Sequence, residues 1–224
     1  NDESVRYFLK ALQINPNYAE AHYELGVTME EEGHSKEALK HYQEALRIKP
    51  DYAKVYNNIG VILSTKGNLI DAVHHYQRAI KINPTYAIAY YNLGIISTKH
   101  DRVREAIPYY QKALQFNFNM TQALYQLSWI LATCGDPKYR NGEEALKLAE
   151  KLCKVTQYRQ PQSLDALAAA YAETKKFDKA ILNAQKGFKL DEKQGAKKLA
   201  SGLEKRLELY KKGQPYRQDL NKNN

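Results

Sequence analysis

Residues 53–86 read AKVYNNIGVILSTKGNLIDAVHHYQRAIKINPTY, and this stretch decides the fold. Tyr56, Ile59, Gly60 and Leu63 fall at i, i+3, i+4 and i+7, one face of a helix. Gly67, at the place of Gly33 one repeat earlier, sits where a short turn must reverse the chain. Ala72, Tyr76 and Ala79 make a second helical stripe, and Pro84 cannot continue it. Small residues at Gly60, Ala72 and Ala79 let two helices approach closely, with Tyr76 filling the gap between them. The unit is an antiparallel helix pair.

The same unit recurs on either side at a period of 34 residues. Ala19, Ala53 and Ala87 are in register, as are Gly26, Gly60 and Gly94. So are Ala38, Ala72 and Ala106; Tyr42, Tyr76 and Tyr110; and Ala45, Ala79 and Ala113. Pro16, Pro50 and Pro84 coincide, each followed two residues later by Tyr18, Tyr52 or Tyr86. Three regular pairs therefore cover 19–120, the third with Phe118 in place of the terminal proline and with Pro108 near the start of its second helix. Residues 1–18 read as the second helix of a truncated pair, carried by Phe8, Ala11, Ile14 and Pro16, which implies a longer natural protein.

Two divergent pairs follow over 121–192. The first carries Leu124, Leu127, Ser128 and Leu131, then an insertion at 136–142, then Ala145, Ala149 and Leu152. The second carries Leu164, Leu167, Ala168, Tyr171, Ala180, Ala184 and Gly187. Leu199, Leu203, Leu207 and Tyr210 form an amphipathic stripe over 193–212, as expected of a helix that caps the last repeat. Gly213-Gln214-Pro215 stops that helix, and 213–224 is expected to be a disordered tail.

This pattern closely resembles the tetratricopeptide repeat (TPR) family over about residues 4–192. The resemblance implies an all-α fold, a right-handed α-α superhelix, closed here by the C-terminal capping helix. It also implies a protein–protein interaction module that binds a peptide or partner protein in its concave groove. A narrower resemblance lies in the second half. The runs Leu131-Ala-Thr-Cys-Gly-Asp-Pro-Lys-Tyr-Arg-Asn-Gly-Glu-Glu-Ala145, Leu164-Asp-Ala-Leu-Ala-Ala-Ala-Tyr-Ala-Glu173 and Leu209-Tyr-Lys-Lys-Gly-Gln-Pro-Tyr-Arg217 are similar to the C-terminal repeats of bacterial multi-spanning, glycosyltransferase-like membrane proteins. That resemblance implies repeats tethered beside a bacterial membrane by upstream sequence.

In the family the first helix of each pair lines the groove. Five residues into the repeats stand Tyr23, Asn57, Tyr91, Tyr125 and Asp165; next to them stand Glu24, Asn58, Asn92, Gln126 and Ala166. Three further on stand Val27, Val61, Ile95, Trp129 and Ala169. The candidate peptide-binding groove is thus Tyr23, Asn57, Asn58, Tyr91, Asn92, Tyr125, Gln126 and Trp129. Asn and Gln both donate and accept, which suits the backbone of an extended peptide. Tyr and Trp offer large contact area with a polar tip. Asn58 and Asn92 resemble two rungs of the asparagine ladder of O-GlcNAc transferase repeats; the alternative is that they are simply solvated. Trp129 reads either as a groove residue or as core of an irregular repeat. Lys54, Asn58 and Asn92 match part of the family's carboxylate clamp, but Tyr23 stands where a lysine is needed.

Composition narrows the alternatives. Of 224 residues 43% are apolar and 26% charged, the profile of a packed domain rather than a disordered chain. No run approaches a membrane span. The net charge is +9, dense after Thr174, which reads as a solvated surface or as a patch for nucleic acid or an anionic membrane surface. A further alternative is self-assembly into a homo-oligomer through exposed repeat faces. Cys134 and Cys153 are too far apart along their helices to bridge and read as buried thiols. His41, His74 and His75 flank core tyrosines without Cys or carboxylate at ligand spacing, so neither a metal nor a cofactor is expected. No catalytic motif occurs, and the segment is not expected to be an enzyme.

Overall fold

A computed structural model of the protein describes residues 2–194 and 200–218. Its helices are α1 (Asp2–Ile14), α2 (Ala19–Glu31), α3 (Ser35–Ile48), α4 (Ala53–Thr65), α5 (Leu69–Ile82), α6 (Ala87–Lys99), α7 (Val103–Phe116), α8 (Thr121–Thr133), α9 (Gly142–Val155), α10 (Pro161–Glu173), α11 (Phe177–Lys193) and α12 (Ala200–Lys211). Among the described residues a 3-10 turn spans Pro137–Tyr139. The chain divides into two compact units, 1–96 and 97–224, with the boundary inside α6.

In the first unit α2 packs on α3 and α4 on α5. Ala38, Tyr42 and Ala45 of α3 join Val55, Ile59 and Ile62 of α4 in one core. The recurring tyrosine is fully interior: Tyr42 is 0% and Tyr76 2% exposed. The recurring glycine makes room for it. A Cβ on Gly60 would lie 2.7 Å from Tyr76 Cε1, and one on Gly26 would collide with the Tyr42 ring.

The turns within the first, second, third and fifth pairs share one design. Gly33 and Gly67 sit at φ +82° and +81°, and His34 and Asn68 donate back to the Met29 and Leu63 carbonyls. This is the Schellman ending, in which a left-handed residue lets two amides reach the orphan carbonyls of the last turn. At the equivalent position of the third pair Asp101 takes φ +56°, and in the fifth Lys175 takes +60°. Aspartate tolerates that region better than most side chains, so the motif survives there without glycine.

In the second unit α8 packs on α9, α10 on both, α11 on α10, and α12 on α11. Pro108 is the sixth residue of α7, deeper than the first turn, so that helix forgoes one internal hydrogen bond. The insertion is ordered by its own caps. Asp136 accepts from the Lys138 amide, and the Asn141 side chain accepts from the Glu144 amide at 3.1 Å to start α9. Cys134 and Cys153 are both buried and unbridged.

One expectation needs correction in this unit. The tail expected to be disordered from residue 213 is placed through Gln218: it leaves α12 at Gly213 (φ +67°) and returns to α8, where the Gln218 amide donates to the Thr133 carbonyl at 2.7 Å. It is held because the end of α8 presents carbonyls without helical partners. Residues 219–224, and Leu199 of the expected capping stripe, lie outside the described residues. Within α12, Leu203 and Tyr210 are each 1% exposed.

Candidate functional site

On the first unit, α4 and α6 carry a row of amides. Asn92 Nδ2 donates to Asn57 Oδ1 at 2.9 Å, and Asn57 Nδ2 donates to Asn58 Oδ1 at 3.2 Å. Asn58 Nδ2 then donates to the Tyr42 hydroxyl at 3.1 Å, which itself donates to Glu30 Oε2 at 2.8 Å. Five polar groups from three repeats thus share one hydrogen-bonded chain. Burial pushes the Glu30 carboxyl up from its ordinary range, the Tyr42 bond opposing that shift. Tyr42, whose hydroxyl loses hydration, is displaced well above the usual phenol range. A shallow cleft of about 380 Å³, lined by Val27, Glu30, Glu31 and Asn58, opens beside the chain.

Aromatic groups flank it. Tyr23 is half-buried, its ring 5.2 Å from that of Tyr52 and 6.2 Å from that of Tyr42, with the Lys54 ammonium 6.0 Å over its face. Tyr91 is half-buried, and burial raises its phenol pKa.

On the second unit the corresponding face is occupied by the chain itself. Trp129 donates through Nε1 to Gln218 Oε1 at 3.0 Å, and its ring stacks on Tyr125 with centroids 6.0 Å apart. The Arg206 guanidinium lies 5.2 Å from the Trp129 ring and 5.5 Å from Tyr216. Arg206 also forks onto Asp165 at 2.8 and 2.7 Å. Asp165 is 1% exposed; loss of hydration pulls its carboxyl up to about 6, with Arg206 pulling the other way. Burial lifts Tyr125 to about 12, the Asp165 charge adding to it. Nearby, Glu173 takes Arg140 at 3.1 Å and Arg217 at 2.6 Å.

Models of the tetratricopeptide repeat match residues 7–40, 31–67, 62–99 and 87–120, together just over half of the chain. The chain belongs to the tetratricopeptide-repeat family. Solved tetratricopeptide structures share the fold. YrrB, "a TPR protein with an unusual peptide-binding site", is 22% identical with a TM-score of 0.65, over 88% of this chain and 97% of that one. Cut9 in its assembly with Hcn1 is 19% identical with a TM-score of 0.73, over 92% of this chain and 39% of that one. Yeast Tom70 is 19% identical with a TM-score of 0.66, over 93% and 44%. No curated protein matches the chain by sequence.

In this tetratricopeptide frame the candidate residues fall into distinct settings. Asn58, Tyr91, Asn92 and Tyr23 are part-buried on the first unit. Asn57 was expected on the groove wall but is only 3% exposed; it is a bridge between neighbouring amides. Gln126 is half-exposed on α8. Trp129 meets the chain's own C-terminal segment and Tyr125 stacks on it, so Trp129 is neither open groove nor plain core. Asp165, Ala166 and Ala169, read as outward-facing, are at most 2% exposed, and Arg206 of α12 forks onto Asp165. The reading missed Arg206 altogether. Leu203, Arg206, Leu207 and Tyr210 fall at i, i+3, i+4 and i+7, which puts the arginine on the apolar face and signals a buried partner.

Proposed function

We propose that this tetratricopeptide protein binds an extended peptide or partner protein on the first-helix face of its N-terminal unit. The observation that carries the reading is the bonded row Asn92–Asn57–Asn58–Tyr42–Glu30. Each amide is held in place by its neighbours before any guest arrives, which lowers the entropy lost on binding. Asn58 keeps a second N–H, and Asn92 keeps a second N–H and its carbonyl oxygen, so a peptide backbone can both donate to and accept from the row. Tyr23 and Tyr91 supply flat apolar area on either side, and Glu30 with Glu31 favours a basic guest side chain in the cleft.

The test is the triple variant Asn58→Ala, Tyr91→Ala, Asn92→Ala, probed on an array of extended peptides. Binding should be abolished while the helical circular-dichroism signal is kept. Unchanged affinity would remove the reading. We extend the proposal to the setting: the repeats serve as one part of a larger protein held beside a bacterial membrane, which follows from the resemblance of 131–145, 164–173 and 209–217. No described helix is long and apolar enough to cross a membrane.

One observation favours a second reading, self-association. Helix α1 exposes Tyr7 (68%), Leu9 (46%) and Ile14 (87%), apolar area of the kind that a second copy could cover. Light scattering over a concentration series separates the two readings, since only this one predicts a mass that grows with concentration.

A further inference from the structure

We infer that the segment Pro215–Gln218 is an internal ligand, and that the face it covers on α8 and α10 is a binding site for extended segments carrying an aromatic–arginine pair. The inference rests on reading first-helix faces as binding surfaces, but it concerns the second unit only.

The segment makes the contacts of a bound peptide. Its backbone pairs with the end of α8: the Gln218 amide donates to the Thr133 carbonyl at 2.7 Å, and Gln218 forms a parallel bridge with Cys134. One main-chain bond thus anchors the segment at the helix end, and its side chains supply the selection. Each side chain then has its own receiver. The Tyr216 ring lies 6.0 Å from Trp129, with the Arg206 guanidinium against both rings. Arg217 pairs with Glu173 Oε2 at 2.6 Å and donates to the Ala132 carbonyl at 3.3 Å. Gln218 Oε1 accepts the Trp129 indole N–H at 3.0 Å.

The charged receiving groups are paired without the segment. Arg206 is neutralised by Asp165, and Glu173 keeps Arg140. The segment itself is half-exposed at all four residues, whereas Asp165 beneath it is 1% exposed. Tyr216 packs against the core of α10, α11 and α12 without belonging to its fully buried set. It joins α12 through Gly213 in the left-handed region, a pivot that needs no side chain. A cleft of about 520 Å³, with Arg104, Tyr139, Arg217 and Gln218 in its wall, runs along the segment's edge and gives a competitor access. The guest this chemistry selects is an extended peptide with an aromatic residue, then arginine, then an amide. In the intact chain the tethered segment competes with it at an effective concentration on the order of millimolar.

Trp129 is the one tryptophan of the chain, so its emission reports directly on this face. The experiment uses the chain ended after Lys212 and a synthetic peptide of residues 211–218. Truncation should shift Trp129 emission to the red with helicity retained. The peptide should reverse that shift saturably, and a peptide with alanine for Tyr216 and Arg217 should not. On the intact chain the apparent affinity should be about ten-fold or more weaker. A truncated chain that stays helical and either keeps its emission or ignores the peptide overturns the inference. If truncation abolishes folding, the full chain carrying Tyr216→Ala and Arg217→Ala takes its place, with the same readout. Should that variant unfold as well, the segment is core and the inference fails. None of these readouts involves Asn58, Tyr91 or Asn92, so the N-terminal reading stands or falls separately.

Discussion

Asn92 donates its side-chain amide to the Oδ1 of Asn57, 2.9 Å away and one repeat earlier. The bond makes Asn57 a structural residue and its neighbour Asn58 a surface one, although both are asparagines on the same helix. Asn57→Ala leaves the Asn92 and Asn58 amides short of a partner in a half-buried place, and should cost about 1–3 kcal/mol of stability. Asn58→Ala should cost less than that and weaken guest binding more. Urea unfolding beside peptide titration distinguishes the two, and equal effects on both would show that the row acts only as a stabiliser.

The close approach of paired helices predicts a graded series. Gly60→Ala sets a methyl 2.7 Å from the Tyr76 ring, and Gly26→Ala drives one into Tyr42. Each should destabilise by about 1–3 kcal/mol, the usual range for overpacking. Gly26→Ala should be the worse, because Tyr42 cannot move without breaking its bonds to Glu30 and Asn58. Combining Gly26→Ala with Tyr42→Leu should recover part of the loss in thermal melts.

Removing one half of the buried ion pair should be severe. Arg206→Ala leaves the Asp165 carboxylate without its cation, at a loss of about 3–5 kcal/mol. The double variant Arg206→Met, Asp165→Leu should be far milder than the single one. The deficit of Arg206→Ala should also shrink on acidification. Without the arginine the Asp165 carboxyl rises still further above its ordinary range, so protonation removes the buried charge at a higher pH.

Two histidines set an acid limit on the first unit. Burial lowers the pKa of His41 and His75 below 6.5; His22 adds to the effect at His41, while Glu44 opposes it there and Asp71 opposes it at His75. A depressed histidine binds its proton less readily folded than unfolded, so this stability is complete above about pH 6.5 and drains as pH falls through the folded values. The urea midpoint should therefore fall between pH 7.5 and 5.5. His41→Gln with His75→Gln should flatten that slope, and an unchanged slope would assign it to other groups.

The repeats were legible because their signal is local. Gly60, Ala72 and Tyr76 are fixed by contacts inside one helix pair, and the period shows them three times over. The turns were legible for the same reason wherever glycine stands at the left-handed position; Asp101 and Lys175 hide it because the conformation, not the side chain, is what recurs. What escaped was long-range. Asn57 and Asn58 look alike in sequence, and only the Asn92 side chain, 35 residues on, separates a bridge from a wall. The Trp129–Gln218 bond spans 89 residues, and no periodicity links its ends. The Gly-Gln-Pro that ends α12 reads as a stop, which it is, but a stop says nothing of where the chain goes next.

The Asp165–Arg206 pair also selects what can lie beside the fifth pair. Any further helix pair stacked against α10 would have to bring a cation to that one carboxylate or leave it bare in a low dielectric, a penalty of several kcal/mol. An apolar repeat of the kind found at 53–86 carries no such cation at the matching place. Asp165 thus favours α12, which carries the matching arginine, over a plain repeat helix as the element beside it.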